Sequence, residues 1–165
     1  MRTISCIVFF VVCVLQLNAQ PTFPKHLSQN LRETSINYAK QHGMPLCLMD
    51  AVVEYNADTI PVLKLFTQNV TMKNIETYTI EVYCYDKHKQ PVYNSSTQTN
   101  VYVGNSQDFK PCLSDVYFPE IYTLEGYDST TKVKIYLKKV FFWDGDIWTP
   151  NDKKVTLIES GRFNF

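Results

Sequence analysis

From Leu46 onward, apolar and polar residues alternate with a period of two. The runs are 46–55 (LCLMDAVVEY), 60–69 (IPVLKLFTQN), 75–85 (IETYTIEVYCY), 91–103, 116–123, 131–143 and 146–149. Turn-forming groups separate them, among them Asn56-Ala57-Asp58, Asp86-Lys87-His88-Lys89 and Asp144-Gly145. A period of two sends successive side chains to opposite faces, so each run reads as a strand with one buried side. About seven strands with no helical period between them predict an antiparallel β-sandwich, not a parallel sheet with crossover helices. The alternation is clearest in 75–85. Tyr78, Ile80, Val82 and Cys84 share the core face, and Thr77, Thr79, Glu81, Tyr83 and Tyr85 take the other.

Two local irregularities refine this pattern. In 131–143 the apolar set is Val133, Ile135 and Leu137, then shifts to Val140 and Phe142. A phase change of one residue without a loop predicts a β-bulge near Lys138. Asp144-Gly145 then predicts a two-residue type I′ hairpin pairing Trp143 with Asp146, Phe142 with Ile147 and Phe141 with Trp148. The last of these would be an aromatic cross-strand pair contributing roughly 0.2–1 kcal/mol over alanines.

Residues 20–45 are different in kind. Ser28 can cap a helix start, and Gly43 followed by Pro45 supplies a stop, so a short helix is expected over about 29–41. Its apolar residues Leu27, Leu31 and Tyr38 form a thin stripe, which suits either a helix laid on the main domain or a partly ordered arm. Ahead of it, Arg2 precedes twelve uncharged residues from Ile4 to Leu15. Crossing a bilayer takes about twenty apolar residues. With Leu17-Asn18-Ala19 following, residues 1–19 read as a signal peptide cleaved after Ala19. The expected organisation is thus a signal peptide at 1–19, an arm with a short helix at 20–45 and a sandwich at 46–165, secreted and without a transmembrane segment.

Cleavage changes the cysteine arithmetic. Cys6 and Cys13 leave, and Cys47, Cys84 and Cys112 enter an oxidising compartment. If the first three strands run up, down and up, Cys47 and Cys84 lie at opposite ends, while the descending run 91–103 brings Cys112 back toward Cys47. A disulfide needs Cα atoms within about 7 Å. The expected bond is therefore Cys47–Cys112, with about 4 kcal/mol of chain-entropy stabilisation. Cys84 is left as a buried thiol or a handle for oligomerisation. Two sequons, at Asn69 and Asn94, fit a secreted glycoprotein.

Composition narrows the function. Sixteen basic residues balance sixteen acidic ones, and loss of Arg2 leaves the mature chain near neutral, which argues against a nucleic-acid partner. The three histidines, His26, His42 and His88, have no zinc spacing. His88 stands four residues from Cys84, but the thiol faces the core and the imidazole a loop tip, so no nucleophile–base pair is expected. None of the five glycines sits in a phosphate-loop motif. Asp144, Asp146 and Asp152 could suggest calcium, but turn chemistry explains the first two, so neither a metal nor a cofactor is expected. The lysines, Lys132, Lys134, Lys138 and Lys139 with Lys153 and Lys154, read either as a basic stripe for sulfated glycans or anionic lipid, or as a solvated face with a lysine-guarded sheet edge. Tyr83, Tyr85 and Tyr136, with Lys132, Lys134 and Lys138, form the candidate binding surface.

The run from Asn69 to Val92, with Asn74-Ile75 leading a strand into Tyr85-Asp86 and then Pro91-Val92, and the segment Val140-Phe141-Phe142-Trp143-Asp144-Gly145-Asp146-Ile147-Trp148 resemble small secreted immunoglobulin-like or fibronectin type III-like sandwich domains. The likeness spans about 100 residues and carries no catalytic residues across. Neither Trp143 nor Trp148 precedes a paired cysteine as the immunoglobulin core requires. The layout, a signal peptide followed by one domain without an enzyme motif, is also similar to arthropod venom or salivary secretions. These readings imply a secreted, non-enzymatic binding or effector protein acting on an extracellular protein, glycan or cell surface. A secreted hydrolase or a membrane-active toxin is the alternative.

Overall fold

The computed structural model describes residues 29–106, 113, 117–151 and 158–159. Helix α1 (Gln29–Gln41) precedes eight strands: β1 (Leu46–Tyr55), β2 (Pro61–Asn69), β3 (Ile75–Tyr85), β4 (Val101–Asn105), β5 (Tyr117–Thr123), β6 (Lys132–Phe142), β7 (Ile147–Trp148) and β8 (Ile158–Glu159). They form two antiparallel sheets, one ordered β1-β2-β5 and the other β4-β3-β6-β7, with β8 also pairing β6. The architecture is the β-sandwich that the alternation predicts. The chain changes sheet between β2 and β3, so the first three strands do not form one up-down-up sheet.

Between the sheets, Leu63 and Leu65 of one meet Tyr78, Ile80, Val82, Cys84, Val133, Ile135 and Leu137 of the other, all fully buried. Each such aliphatic side chain contributes about 1.5–3 kcal/mol by leaving water. A second, smaller core lies on the outer face of the three-stranded sheet, where Ala39, Met44, Cys47 and Met49 pack together beside Ile36 and Phe66. One strand serves both cores because successive side chains face opposite sides, and a ladder shift between Leu48 and Asp50, with Met49 as the extra residue, turns Ala51 instead of Asp50 inward. Leu46, Leu48 and Ala51 face the sandwich, and Cys47 and Met49 face α1. The helix is therefore a packed lid, not a free arm. Its C-terminus closes with Met44 N–H on Ala39 O (2.9 Å) and Gly43 N–H on Lys40 O (3.2 Å), a Schellman pattern that turns the chain into β1. Ser28 and the side chain of Leu31 lie outside the described residues.

The bulge is where the phase change places it: Thr79 pairs Lys139 and Ile80 pairs Leu137, leaving Lys138 extra. The hairpin differs from expectation by one residue. Phe141 pairs Ile147 and Val140 pairs Trp148, while Phe142 N–H donates to Asp146 O and Gly145 N–H to Phe142 O. This is a three-residue loop with a type I turn and Gly145 left-handed at φ 87°, not a type I′ turn, because Asp144 keeps a negative φ. No Phe141–Trp148 pair forms. The same loop recurs at Asn56–Ile60 and Asp86–Gln90, with Thr59 (φ 62°) and Lys89 (φ 64°) in the glycine position. The run 91–103 is largely not strand: Pro91 makes an isolated bridge to Tyr85, Asn94–Thr99 is a loop, and β4 starts at Val101.

Gly104 permits a close inter-sheet contact. A Cβ there would stand 2.9 Å from the ring of Tyr122, a fully buried residue of β5 that packs edge-on to Tyr102 of β4 at 6.3 Å.

Candidate binding surface

The outer faces of the two sheets differ. That of β1–β2 is covered by α1, whereas no described element covers the outer face of β3 and β6. Antiparallel pairing sets Tyr83 opposite Lys134, Tyr85 opposite Lys132, and Glu81 opposite Tyr136 on that face. The six candidate residues are gathered there, each half-exposed. Tyr83 and Tyr136 meet edge to face with ring centroids 5.2 Å apart, and Lys134 Nζ sits 5.8 Å from the centre of the Tyr85 ring. The Lys138 bulge directs its ammonium to Glu81 at 3.1 Å. Lys139 continues the motif over Phe141 at 4.5 Å. Burial, then the neighbouring Glu81 carboxylate, pushes the Tyr83 hydroxyl above its ordinary pKa, so it stays a neutral donor. The lysines do not guard an edge, because β6 is flanked by β3 on one side and by β7 and β8 on the other. Interleaved rings and ammonium groups can stack on flat apolar or sugar faces while attracting anions.

The remaining candidates are not brought into one site. Cys47 and Cys84 are buried free thiols, and desolvation pushes each up to about 12. A thiol that stays protonated at neutral pH is a poor nucleophile. No disulfide occurs among the described residues; Cys112, the expected partner of Cys47, lies outside them. His88 is exposed at a loop tip, and His42 Nδ1 lies 2.8 Å from Tyr38 O. At the hairpin tip the space between Asp144 and Asp146 is taken by the ammonium of Lys73, which pairs with both, at 2.7 Å from Asp144. No group of three metal-ligating side chains occurs among the described residues, and Asp152 is outside them. Asn69 is fully buried, its Nδ2 donating to Lys73 O, so the folded chain does not present this amide to solvent. Asn94 is half-exposed, with Nδ2 donating to Glu125 O.

One feature is invisible to strand periodicity. A cleft of about 790 Å³ opens where β4 ends one sheet and β5 the other, lined by Tyr102, Thr99, Thr123, Glu125 and Tyr127 among others. Its residues come from segments far apart in sequence, and only Gly104 hints at the close approach beside it.

No helix among the described residues is long and apolar enough to cross a membrane. No protein-family model and no curated protein matches the chain. Among solved structures it is similar to a hypothetical protein from Peptoclostridium difficile 630, at 12% identity and a TM-score of 0.51, over 66% of this chain and 87% of that one. At that identity the similarity extends to the fold.

Proposed function

We propose that this chain is a secreted, non-enzymatic binding protein that engages an extracellular protein or glycan through the outer face of β3 and β6. The observation that carries the reading is the sheet face, covered by no described element, on which Tyr83, Tyr85 and Tyr136 are interleaved with Lys132, Lys134 and Lys138. The strand order supports the sandwich resemblance. Sheets 1-2-5 and 3-6-7 correspond to the A-B-E and C-F-G groupings of immunoglobulin-type domains, except that the fourth strand pairs the third instead of the fifth. Such domains present partners with faces and loops, and a gland secretion aimed at another organism is one setting for that chemistry.

The test is capture of sulfated glycans and of extracellular proteins on the immobilised chain, repeated with Tyr83→Ala/Tyr136→Ala and with Lys132→Glu/Lys134→Glu. Binding should weaken at least tenfold in both variants, and more steeply with added salt for the parent chain than for the lysine variant. Undiminished binding in both variants, or hydrolysis of ester, peptide or glycosidic substrates or leakage of liposomes by the purified protein, would overturn it.

A further inference from the structure

Strand β4 has one side that no described strand pairs, and its ladder fixes which residues face it. Ser106 N–H donates to Tyr78 O and Cys84 N–H to Asn100 O. Hydrogen-bonded pairs alternate along an antiparallel ladder, so Tyr102 and Gly104 turn their peptide groups toward β3. Val101, Val103 and Asn105 turn theirs outward. The outward carbonyl of Val101 accepts from the Tyr127 hydroxyl at 2.8 Å. The N–H of Val101 and both peptide groups of Val103 and Asn105 have no partner among the described residues. Val103 is 59% exposed.

Natural sheets guard such edges with lysine, proline or bulges. The sequence of β4, VYVGN, has none of these, whereas β5 across the cleft carries Pro119. The cleft runs beside this unguarded edge, with Val101, Tyr102 and Val103 on one wall and Thr123, Glu125 and Tyr127 on the other. A strand laid against β4 would send the side chain opposite Tyr102 into the cleft, where Glu125 is the one charged lining residue.

We propose that β4 binds an extended peptide of a partner protein as an added antiparallel strand, with a basic side chain entering the cleft toward Glu125. The main chain of β4 supplies affinity and the cleft supplies selectivity. This site is the edge of the sheet, separate from the face of β3 and β6.

The probe is an acetylated, amidated heptapeptide of alternating threonine and lysine. A second copy is N-methylated at the threonines, which would pair with the outward groups of β4, and a third carries norleucine for lysine. In amide NMR titrations of the full chain, the first peptide should shift the Val103 and Asn105 resonances saturably and slow their hydrogen exchange. N-methylation should weaken binding at least tenfold. Val103→Pro should do the same, since it deletes an N–H that points away from β3; Val103→Lys, which keeps the backbone intact, is the second variant. Glu125→Gln should weaken the lysine peptide severalfold and leave the norleucine peptide unchanged. Tyr83→Ala/Tyr136→Ala should leave all three affinities unaltered, so that this site and the sheet face fail separately. Absence of saturable shifts, equal affinity of the N-methylated peptide, or protection of the same amides by concentration-dependent pairing of two copies of the chain would overturn the proposal.

Discussion

Thr59 and Gly145 occupy the same position in two loops of the same kind, at φ 62° and 87°. For an L-residue this conformation costs roughly 1–2 kcal/mol, and β-branching makes it worse. Nothing lies within 4 Å of where a Cβ on Gly145 would stand, so a substitution there meets backbone strain alone. Gly145→Ala should therefore lower stability by about 0.5–1 kcal/mol in urea titration, the strain less the unfolded-state entropy that alanine removes. Thr59→Gly should do the reverse. Relief of strain outweighs the extra unfolded-state entropy of glycine, which is about 0.5–1 kcal/mol, for a net gain of about 0.5 kcal/mol. A loss of stability in Thr59→Gly would mean that the threonine side chain contributes more than its backbone costs. The sequence marks turns at Asn56-Ala57-Asp58 and Asp86-Lys87-His88-Lys89 as it does at Asp144-Gly145, but only the last shows where φ turns positive, since neither Thr59 nor Lys89 advertises it.

At the scale of elements, these loops share a second device. Asn56 Oδ1 accepts from the N–H groups of Asp58 and Ile60, and Asp86 Oδ1 accepts from those of His88 and Gln90. The bond from Gln90, followed by that from His88, holds the Asp86 carboxyl below its ordinary 3.8. Because the folded value is the lower one, the stabilisation is complete above 3.8 and is lost as pH falls through the depressed value. Asp86→Asn keeps the acceptor and removes the titration, as Asn56 shows in the parallel loop. Between pH 7 and pH 2.5 the urea midpoint should fall less in Asp86→Asn than in the parent chain; equal falls would refute this linkage. Strand existence and facing were legible at this scale, down to the bulge at Lys138, because a buried face forces a period of two. The hairpin register was not, since Trp143-Asp144-Gly145 fits both a two-residue and a three-residue loop, which differ in the backbone conformation of Trp143 and Asp144. The long run 91–103 also misled, because apolar residues flanking Asn94–Thr99 anchor a loop and mimic a strand.

For the whole molecule, the sequence carried the sandwich and the tyrosine–lysine face, both products of alternation along single strands. It could not carry the cleft, whose walls come from different sheets, or the pairing of Lys73 with Asp144 and Asp146 across a long stretch of chain. Nor did it disclose that β1 belongs to two cores, since Leu46, Cys47, Leu48 and Met49 are all apolar and show no polar face to read. That division places one thiol in each core: Cys84 between the sheets and Cys47 under α1. The larger core is expected to open only with global unfolding, and the smaller one with the lifting of the helix, at lower free energy. The two cysteines are thus a pair of built-in clocks. In reduced protein carrying Cys112→Ser, alkylation mapped by mass spectrometry should reach Cys47 before Cys84 at every sub-denaturing urea concentration, and identical rates would show helix and sandwich coming apart together. A chain with two separately hidden thiols can report from within itself which part lets go first.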